Sequence, residues 1–380
     1  MTNNKLITVG IPAFKATEHI CDCLSSIQIQ TIRDEVAVII AKDNPSDNYD
    51  FVKKRFPQLD ITILECKENT GPGLARQRCA AAAKTEWITW IDADDVFYDP
   101  FALENMKNGI TPDCIEVQTI FCQEVDPNPM GVRMMPRTDA GHPWMFGRLY
   151  NLNFLRSTGI ESSALRAMED GEFNWKVRLC IEGFPVKINM VEKVTYLWRK
   201  GSDHSITRIG IEENGGEPLY NWNLCQVGAT AASINAIKFS KKKNPFNGSI
   251  VRFTVEMMIG QYFTYVQCLE KKPMFAKQNL FNAKRFYHTC YKQIEDQIDE
   301  DVLKTMYTMQ LAGHANDMVG IIPAITFFQF LELVKTEPYG GKEEFDQIRN
   351  ELPDWVKELD EKSGVLGKEG YVYTIGEKTE

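Results

Sequence analysis

Trp87-Ile-Thr-Trp-Ile-Asp-Ala-Asp-Asp95 is an apolar, β-prone run that stops in three carboxylates. A buried strand that delivers acidic side chains at its carboxyl end is one way to build a divalent-cation site that grips a phosphate ester. The same letters also describe a plain strand followed by an acidic turn, since Asp favours turns. The neighbouring segments decide which reading the run deserves.

Working back from it, residues 72–83 have helical spacing with Pro72 at the start, and residues 61–64 are strand-like. Before them come a short helix over 49–56 and a strand over 36–41. Further back, a helix capped by Thr17 carries Ile20, Leu24 and Ile27 on one face, and residues 6–13 form the first strand. Strand and helix in strict alternation predict an α/β fold, a mostly parallel sheet with helices on both faces. In such sheets ligands bind beyond the carboxyl ends of the strands, so Phe14, Asp43, Asn69 and Asp92 to Asp95 should gather on one rim. No G-x-G-x-x-G follows the first strand and no Walker loop is present, which argues against a dinucleotide-binding domain and a P-loop NTPase.

Past Glu213 the pattern turns helical, over 250–269, 276–291, 302–311 and a buried helix beginning near Pro323 and reaching 334. A last strand is expected over 371–375. A boundary near 210–218 therefore divides residues 1–212 from a mainly α-helical domain over 213–380, suited to acceptor binding or oligomerisation. With 380 residues and 43% hydrophobic content, two cores are affordable by size.

The first 14 residues lack a basic start followed by a long apolar stretch, so a cytoplasmic protein is expected. The most lipid-like run, 318–328, is broken by Pro323 and is far short of the roughly 20 residues that cross a bilayer. Ten cysteines show no CxxC pair or Cys/His metal spacing and read as reduced, mostly buried thiols. The net charge of −9 is uneven. Residues 236–292 hold eleven Lys/Arg against Glu256 and Glu270, a net of +9, and leave −18 for the remainder. That stretch is either a solvated helical face or a surface for an anionic partner, nucleic acid or lipid headgroup.

Several segments together resemble the family 2 glycosyltransferases with the GT-A fold. They are Ile7-Thr-Val-Gly-Ile-Pro-Ala-Phe14, the strand and loop after Ile39, Asn69-Thr-Gly-Pro-Gly-Leu-Ala-Arg76, residues 88–95, Glu169-Asp170, and residues 196–207. The resemblance covers roughly the first 210 residues, in the expected order. It implies transfer of a sugar from a nucleotide-sugar donor, a UDP-sugar by expectation, to an acceptor hydroxyl with inversion. Pro12, Ala13, Phe14 and Asp43 would line the base and ribose pocket, with Asn69, Gly73, Arg76, Asp92 and Ala93 completing the nucleotide-sugar site. Relatives often show paired acids followed by Gly-Ser, where this chain has Lys42-Asp43-Asn44-Pro45.

By the same resemblance Arg76 would either clamp the diphosphate or hold the acidic loop through a salt bridge. Asp92 would contact ribose or cation, Asp94 would ligate Mn²⁺ or Mg²⁺, and Asp95 would support the loop. A divalent cation suits this chemistry because a departing nucleoside diphosphate develops negative charge. His204 would complete the metal sphere or touch the diphosphate, unless it is a structural histidine. Asp170 would be the general base, a role that contributes about 10²–10⁴ in rate, with Glu169 beside it on the acceptor side. The plainer reading is that both acids favour the amino end of a helix. Trp144 would stack on the acceptor, or serve as a core aromatic. The acceptor is a glycan or polymer by preference. A hydroxymethylated DNA base modified by a bacteriophage enzyme is the alternative, and a catalytically inactive nucleotide-binding scaffold is a third reading that the intact Asp92, Asp94 and Asp170 oppose.

Overall fold

The computed structural model describes residues 5–128, 131–137, 144–182, 184–199, 223, 225–244 and 248–363, with side chains excepted at 125–128, 131–137 and 359–363. Its contacts divide the chain into two compact units. One is Met1–Ala164 with Gly183–Asp203, and the other is Leu165–Glu182 with His204–Glu380. The segment bearing Glu169-Asp170 thus groups with the helices.

In the first unit β1 (Ile7–Ala13), α1 (Ile20–Gln28), β2 (Val36–Lys42), α2 (Phe51–Arg55), β3 (Asp60–Leu64), α3 (Pro72–Ala82) and β4 (Trp87–Trp90) alternate as expected. They are followed by β5 (Val96–Phe97), α4 (Ala102–Asn108), β6 (Cys114–Asn128), β7 (Gly131–Arg137), β8 (Arg148–Asn151), α5 (Leu152–Thr158) and β9 (Lys187–Trp198). The sheet runs β3-β2-β1-β4-β8-β6-β9-β5, with β7 paired to β6. β3, β2, β1 and β4 are parallel neighbours. Burial of nearly every residue of β1, β2 and β4 is what a strand covered on both faces requires.

A Cβ on Gly10 would stand 2.8 Å from Trp90 Cδ1 and 2.9 Å from Cys79 Cβ, so the centre of β1 admits α3 and β4 only because it has no side chain. The expected stripe of α1 is buried, with Cys23 added to Ile20, Leu24 and Ile27. Its amino cap, however, is His19 rather than Thr17, without a side-chain bond.

The half of the sheet built after β4 mixes directions. β8 runs antiparallel to β4 and β6, whereas β6 and β9 are parallel. Between β6 and β8 lies a fully buried ion pair, Arg148 to Glu116, with Gln118 Nε2 donating to Glu116 Oε1 at 2.8 Å.

The second unit holds α6 (Glu169–Cys180), α7 (Cys225–Lys243), α8 (Gly248–Lys271), α9 (Ala276–Thr289), α10 (Glu300–Gly313), α11 (Phe327–Thr336), α12 (Gly341–Glu351) and α13 (Asp354–Ser363). Its core gathers Ile259, Tyr262, Phe263, Phe286 and Phe330. The helix expected near Pro323 starts four residues later, because Thr326 and Gln329 form a reciprocal capping box. Among the described residues no helix is long and apolar enough to cross a membrane. All ten cysteines are free.

Part of the positive charge of 236–292 is spent inside this unit. Arg285 is buried, as is Lys284, which pairs with Glu344 and, at 3.6 Å, with Glu337. Lys277 meets Glu351 at 2.6 Å and Arg252 meets Glu256 at 2.8 Å. The strand expected over 371–375 and the boundary at 210–218 lie outside the described residues.

Candidate active site

β4 ends at Trp90, and the chain turns at once through Asp92, Ala93, Asp94 and Asp95. Arg76, buried on α3, donates from Nη2 to Asp92 Oδ1 at 2.8 Å. Asp95 is 1% exposed and fully engaged. The Tyr196 hydroxyl donates to its Oδ2 at 2.5 Å while accepting from the Asp92 amide at 3.2 Å, and the Arg199 amide donates to its Oδ1 at 2.7 Å. The Arg199 guanidinium also reaches Asp22 at 2.9 Å. Asp95 therefore braces the turn against the end of β9, as a supporting acid should.

Asp94 is half-buried beside these partners. Burial and the neighbouring Asp92 charge push its carboxyl above its ordinary value, and burial together with Asp94 and Asp92 pushes that of Asp95 well above. Asp92 and Asp94 bring only hard carboxylate oxygens to the turn, the donor type that suits Mg²⁺ and Mn²⁺. Among the described residues no three His, Cys, Asp or Glu side chains converge to hold a metal unaided. Asp92 and Asp94 could supply two carboxylate ligands, a number that fits an ion sharing its remaining positions with substrate phosphates. His204 lies outside the described residues.

Next along the carboxyl rim, Ala13 is buried, Pro12 half-buried and the Phe14 ring 44% exposed. Lys15 follows in the left-handed region at φ 50, its amide donating to Asp47 at 2.7 Å and its ammonium 5.2 Å over the Phe14 ring. Tyr49 closes this loop, donating to Asp47 at 2.9 Å and accepting from the Ala16 amide at 3.1 Å. An exposed aromatic face in a fixed loop is a surface on which a planar base can stack.

Asp43 is only 3% exposed, and both of its oxygens are occupied. Oδ1 accepts from the Thr70 amide and hydroxyl, each at 2.8 Å, and Oδ2 from the Gly71 amide at 2.8 Å. Its visible work is to hold the loop from Asn69 into α3, where Gly71 stands at φ 89 and Gly73 is buried in the first turn. Arg78 adds a clasp, donating to the Lys42 carbonyl at 2.6 Å and lying 3.4 Å from Asp43. The first turn of α3 leaves amides available to an anion.

In the helical unit, Glu169 and Asp170 open α6 after Met168, which is left-handed at φ 62. Asp170 Oδ1 accepts from the Gly171 amide at 2.7 Å, while Glu169 is mostly buried at 8% exposure. Glu172, fully buried, pairs with Lys176 and accepts from Asn235 Nδ2 at 2.9 Å. Trp144 packs with Phe121 at 5.8 Å and Trp198 at 6.5 Å against the core of the first unit, which is how a core aromatic behaves.

Sequence reasoning missed Thr70, Arg78, Tyr196 as a hydroxyl partner, and Arg199. Each acts on a residue 27 to 177 positions away, a separation that no local pattern encodes.

Residues 8–169 match the family described as Glycosyl transferase family 2. The poly(ribitol-phosphate) beta-glucosyltransferase of Bacillus spizizenii is 32% identical over 95 residues, 23% of this chain and 15% of that protein. Hyaluronan synthase of Pasteurella multocida is 24% identical over 237 residues, 59% of this chain and 24% of its own length. The chain spans between 13% and 31% of the length of the curated relatives it matches. The solved structure of S. aureus TarS 1–349 in complex with UDP-GlcNAc superposes with a TM-score of 0.57 at 15% identity, over 81% of this chain and 92% of that one, a likeness of fold. With its parallel half-sheet and acidic turn in place, this chain has a GT-A-like fold, and its residues 8–169 match the glycosyltransferase family 2 model.

Proposed function

We propose that the chain is a metal-dependent, inverting glycosyltransferase that moves a sugar from a UDP-sugar to a hydroxyl of a glycan or polymer acceptor. The observation that carries this reading is the acidic turn after β4. Its crowded carboxyl groups are braced by Arg76, Tyr196 and Arg199, and burial with the neighbouring acids raises Asp94 and Asp95, a crowding that a cation beside Asp94 would relieve. The names of the relatives favour a glycan, and the UDP-GlcNAc of the structural neighbour favours a uridine donor.

In this reading Phe14 stacks the base, and the amides at the start of α3 face the phosphates. Asp92 and Asp94 would hold Mn²⁺ or Mg²⁺, which when bound neutralises charge on the leaving diphosphate. Asp170 takes the proton of the acceptor hydroxyl as that oxygen bonds to the anomeric carbon. The bond from that carbon to the phosphate oxygen breaks, and its electron pair leaves with the nucleoside diphosphate.

A thermal-shift panel of UDP-glucose, UDP-N-acetylglucosamine and GDP-mannose, with and without Mn²⁺, tests the proposal. A ligand at about 100 times its Kd stabilises the folded state by roughly 2.7 kcal/mol. One UDP-sugar should raise Tm, and much more so with Mn²⁺. Indifference to every nucleotide sugar removes the reading, and binding without any release of nucleoside diphosphate would favour a catalytically dead scaffold.

A further inference from the structure

The turn that presents Asp170 is held in a backbone state that side-chain-bearing residues avoid. Met168 caps α6 at φ 62 and ψ 22, inside the left-handed region. Such outliers persist only where the surroundings over-determine them. Here the surroundings are α7. A Cβ built on Gly228 would stand 2.6 Å from the Ala167 carbonyl oxygen and 3.1 Å from both its carbonyl carbon and its Cβ. Two of those three atoms are backbone and cannot swing aside as the tip of a flexible side chain does.

One turn further along α7, buried Ala231 and Ala232 pack with Leu165, and Met168 and Trp175 lie against the same group. Another turn on, Asn235 donates to Glu172 at 2.9 Å, and Ser240 meets Cys180 Sγ at 3.7 Å. Positions 228, 231, 232 and 235 share one helical face. That face runs from no side chain, through methyl groups, to an amide that bonds α6.

We propose that Gly228 is a positioning residue for Asp170. Its missing side chain lets the backbone of α7 rest against Ala167, which keeps Met168 left-handed and sets the direction in which α6 begins. The inference rests on the reading of Asp170 as general base given above. A methyl group at 228 must push the Ala167 carbonyl from 2.6 Å toward the 3.4 Å where ordinary contact begins, a displacement just ahead of the acid. Misplacing a catalytic group by about 1 Å can cost about 10²-fold in rate.

The test uses the full chain, Mn²⁺ and the UDP-sugar that stabilises it most, measuring UDP release, donor KM and the Kd of UDP. Gly228→Ala should lower kcat by about 10²-fold while donor KM and the UDP Kd stay within about twofold. Unchanged kcat, or a loss of kcat matched by equal losses of donor affinity and Tm, overturns the proposal. If that variant fails to fold, Met168→Gly is read instead. It keeps the backbone angle without strain but removes the side chain that lies against Ala231 and Ala232 of α7, and so should lower kcat by about tenfold at constant KM, unchanged kcat again being the contrary result. Asp170→Asn is measured alongside. If that variant turns over normally, the base assignment itself has failed. If it is inactive while Gly228→Ala is normal, only the positioning role falls.

Discussion

Asp43→Asn separates two things an aspartate at the end of β2 can do. As a ligand for base or ribose alone, its loss would weaken donor binding and leave the cation-free, donor-free protein as stable as before. The structure assigns it four internal donors instead, the Thr70 amide, the Thr70 hydroxyl and the Gly71 amide at 2.8 Å and Arg78 Nη2 at 3.4 Å, around a carboxylate that is 3% exposed. An amide at this position keeps one oxygen and turns an N–H toward the other donor. The lost bond to a charged acceptor is worth about 1.5–3 kcal/mol, and the buried amide left facing a donor costs roughly 1–3 kcal/mol more. A loss of about 3–5 kcal/mol translates, at roughly 2–4 °C per kcal/mol for units of this size, into a Tm drop on the order of 10 °C. Calorimetry or urea unfolding of the ligand-free variant reads this directly. Donor affinity should fall as well, because the loop into α3 is what Asp43 secures. An Asp43→Asn protein with wild-type Tm and defective donor binding refutes the reasoning.

Three further outcomes follow from the same geometry. The raised carboxyls of Asp94 and Asp95 bind protons more tightly in the folded state than in the unfolded one, so the contribution of these two groups to cation-free stability is fully present below their ordinary value and is lost as pH rises through their raised ones. Asp94→Asn should flatten that decline in a series of Tm against pH, raise cation-free Tm near neutral pH by a few degrees, and abolish stabilisation by Mn²⁺; a lower cation-free Tm would contradict it. Arg148→Met leaves the fully buried Glu116 without its counter-charge and should cost about 3–5 kcal/mol in urea unfolding, much of it restored by adding Glu116→Gln. Tyr196→Phe removes the hydroxyl that ties the Asp92 amide to Asp95. It should raise the Mn²⁺ concentration needed for half-maximal UDP release, and an unchanged Mn²⁺ response would show that the turn holds its shape without that bond.

The parallel half of the first unit was legible because β1, β2 and β4 are apolar runs and α1 carries one apolar stripe. The burial of β1, β2 and β4 repeats the sequence pattern nearly residue for residue. Strand-end logic also found the acidic turn. What it could not see was which partner each acid already has. Asp43 is claimed by a loop 27 positions away and Asp95 by a hydroxyl 101 positions away.

The strands after β4 were missed, β6 since it carries Glu116 and Gln118 inward, against the apolar rule, with Arg148 as the compensation. α7 was missed for a different reason. Nearly every residue from Val227 to Ile237 is buried, polar and small ones included, so there is almost no amphipathic signal, and the absence of a side chain at Gly228 lets it approach Ala167. The start of α11 was misplaced although Thr326-Phe-Phe-Gln329 spells a capping box, because Pro323 is the louder helix-start signal.

The most direct test of the account is the kcat of Asp170→Asn for transfer or UDP release, measured with the Kd of the UDP-sugar in the presence of Mn²⁺. The account expects kcat to fall by about 10²–10⁴-fold with donor affinity within about twofold of wild type. Near-normal turnover in that variant would contradict it.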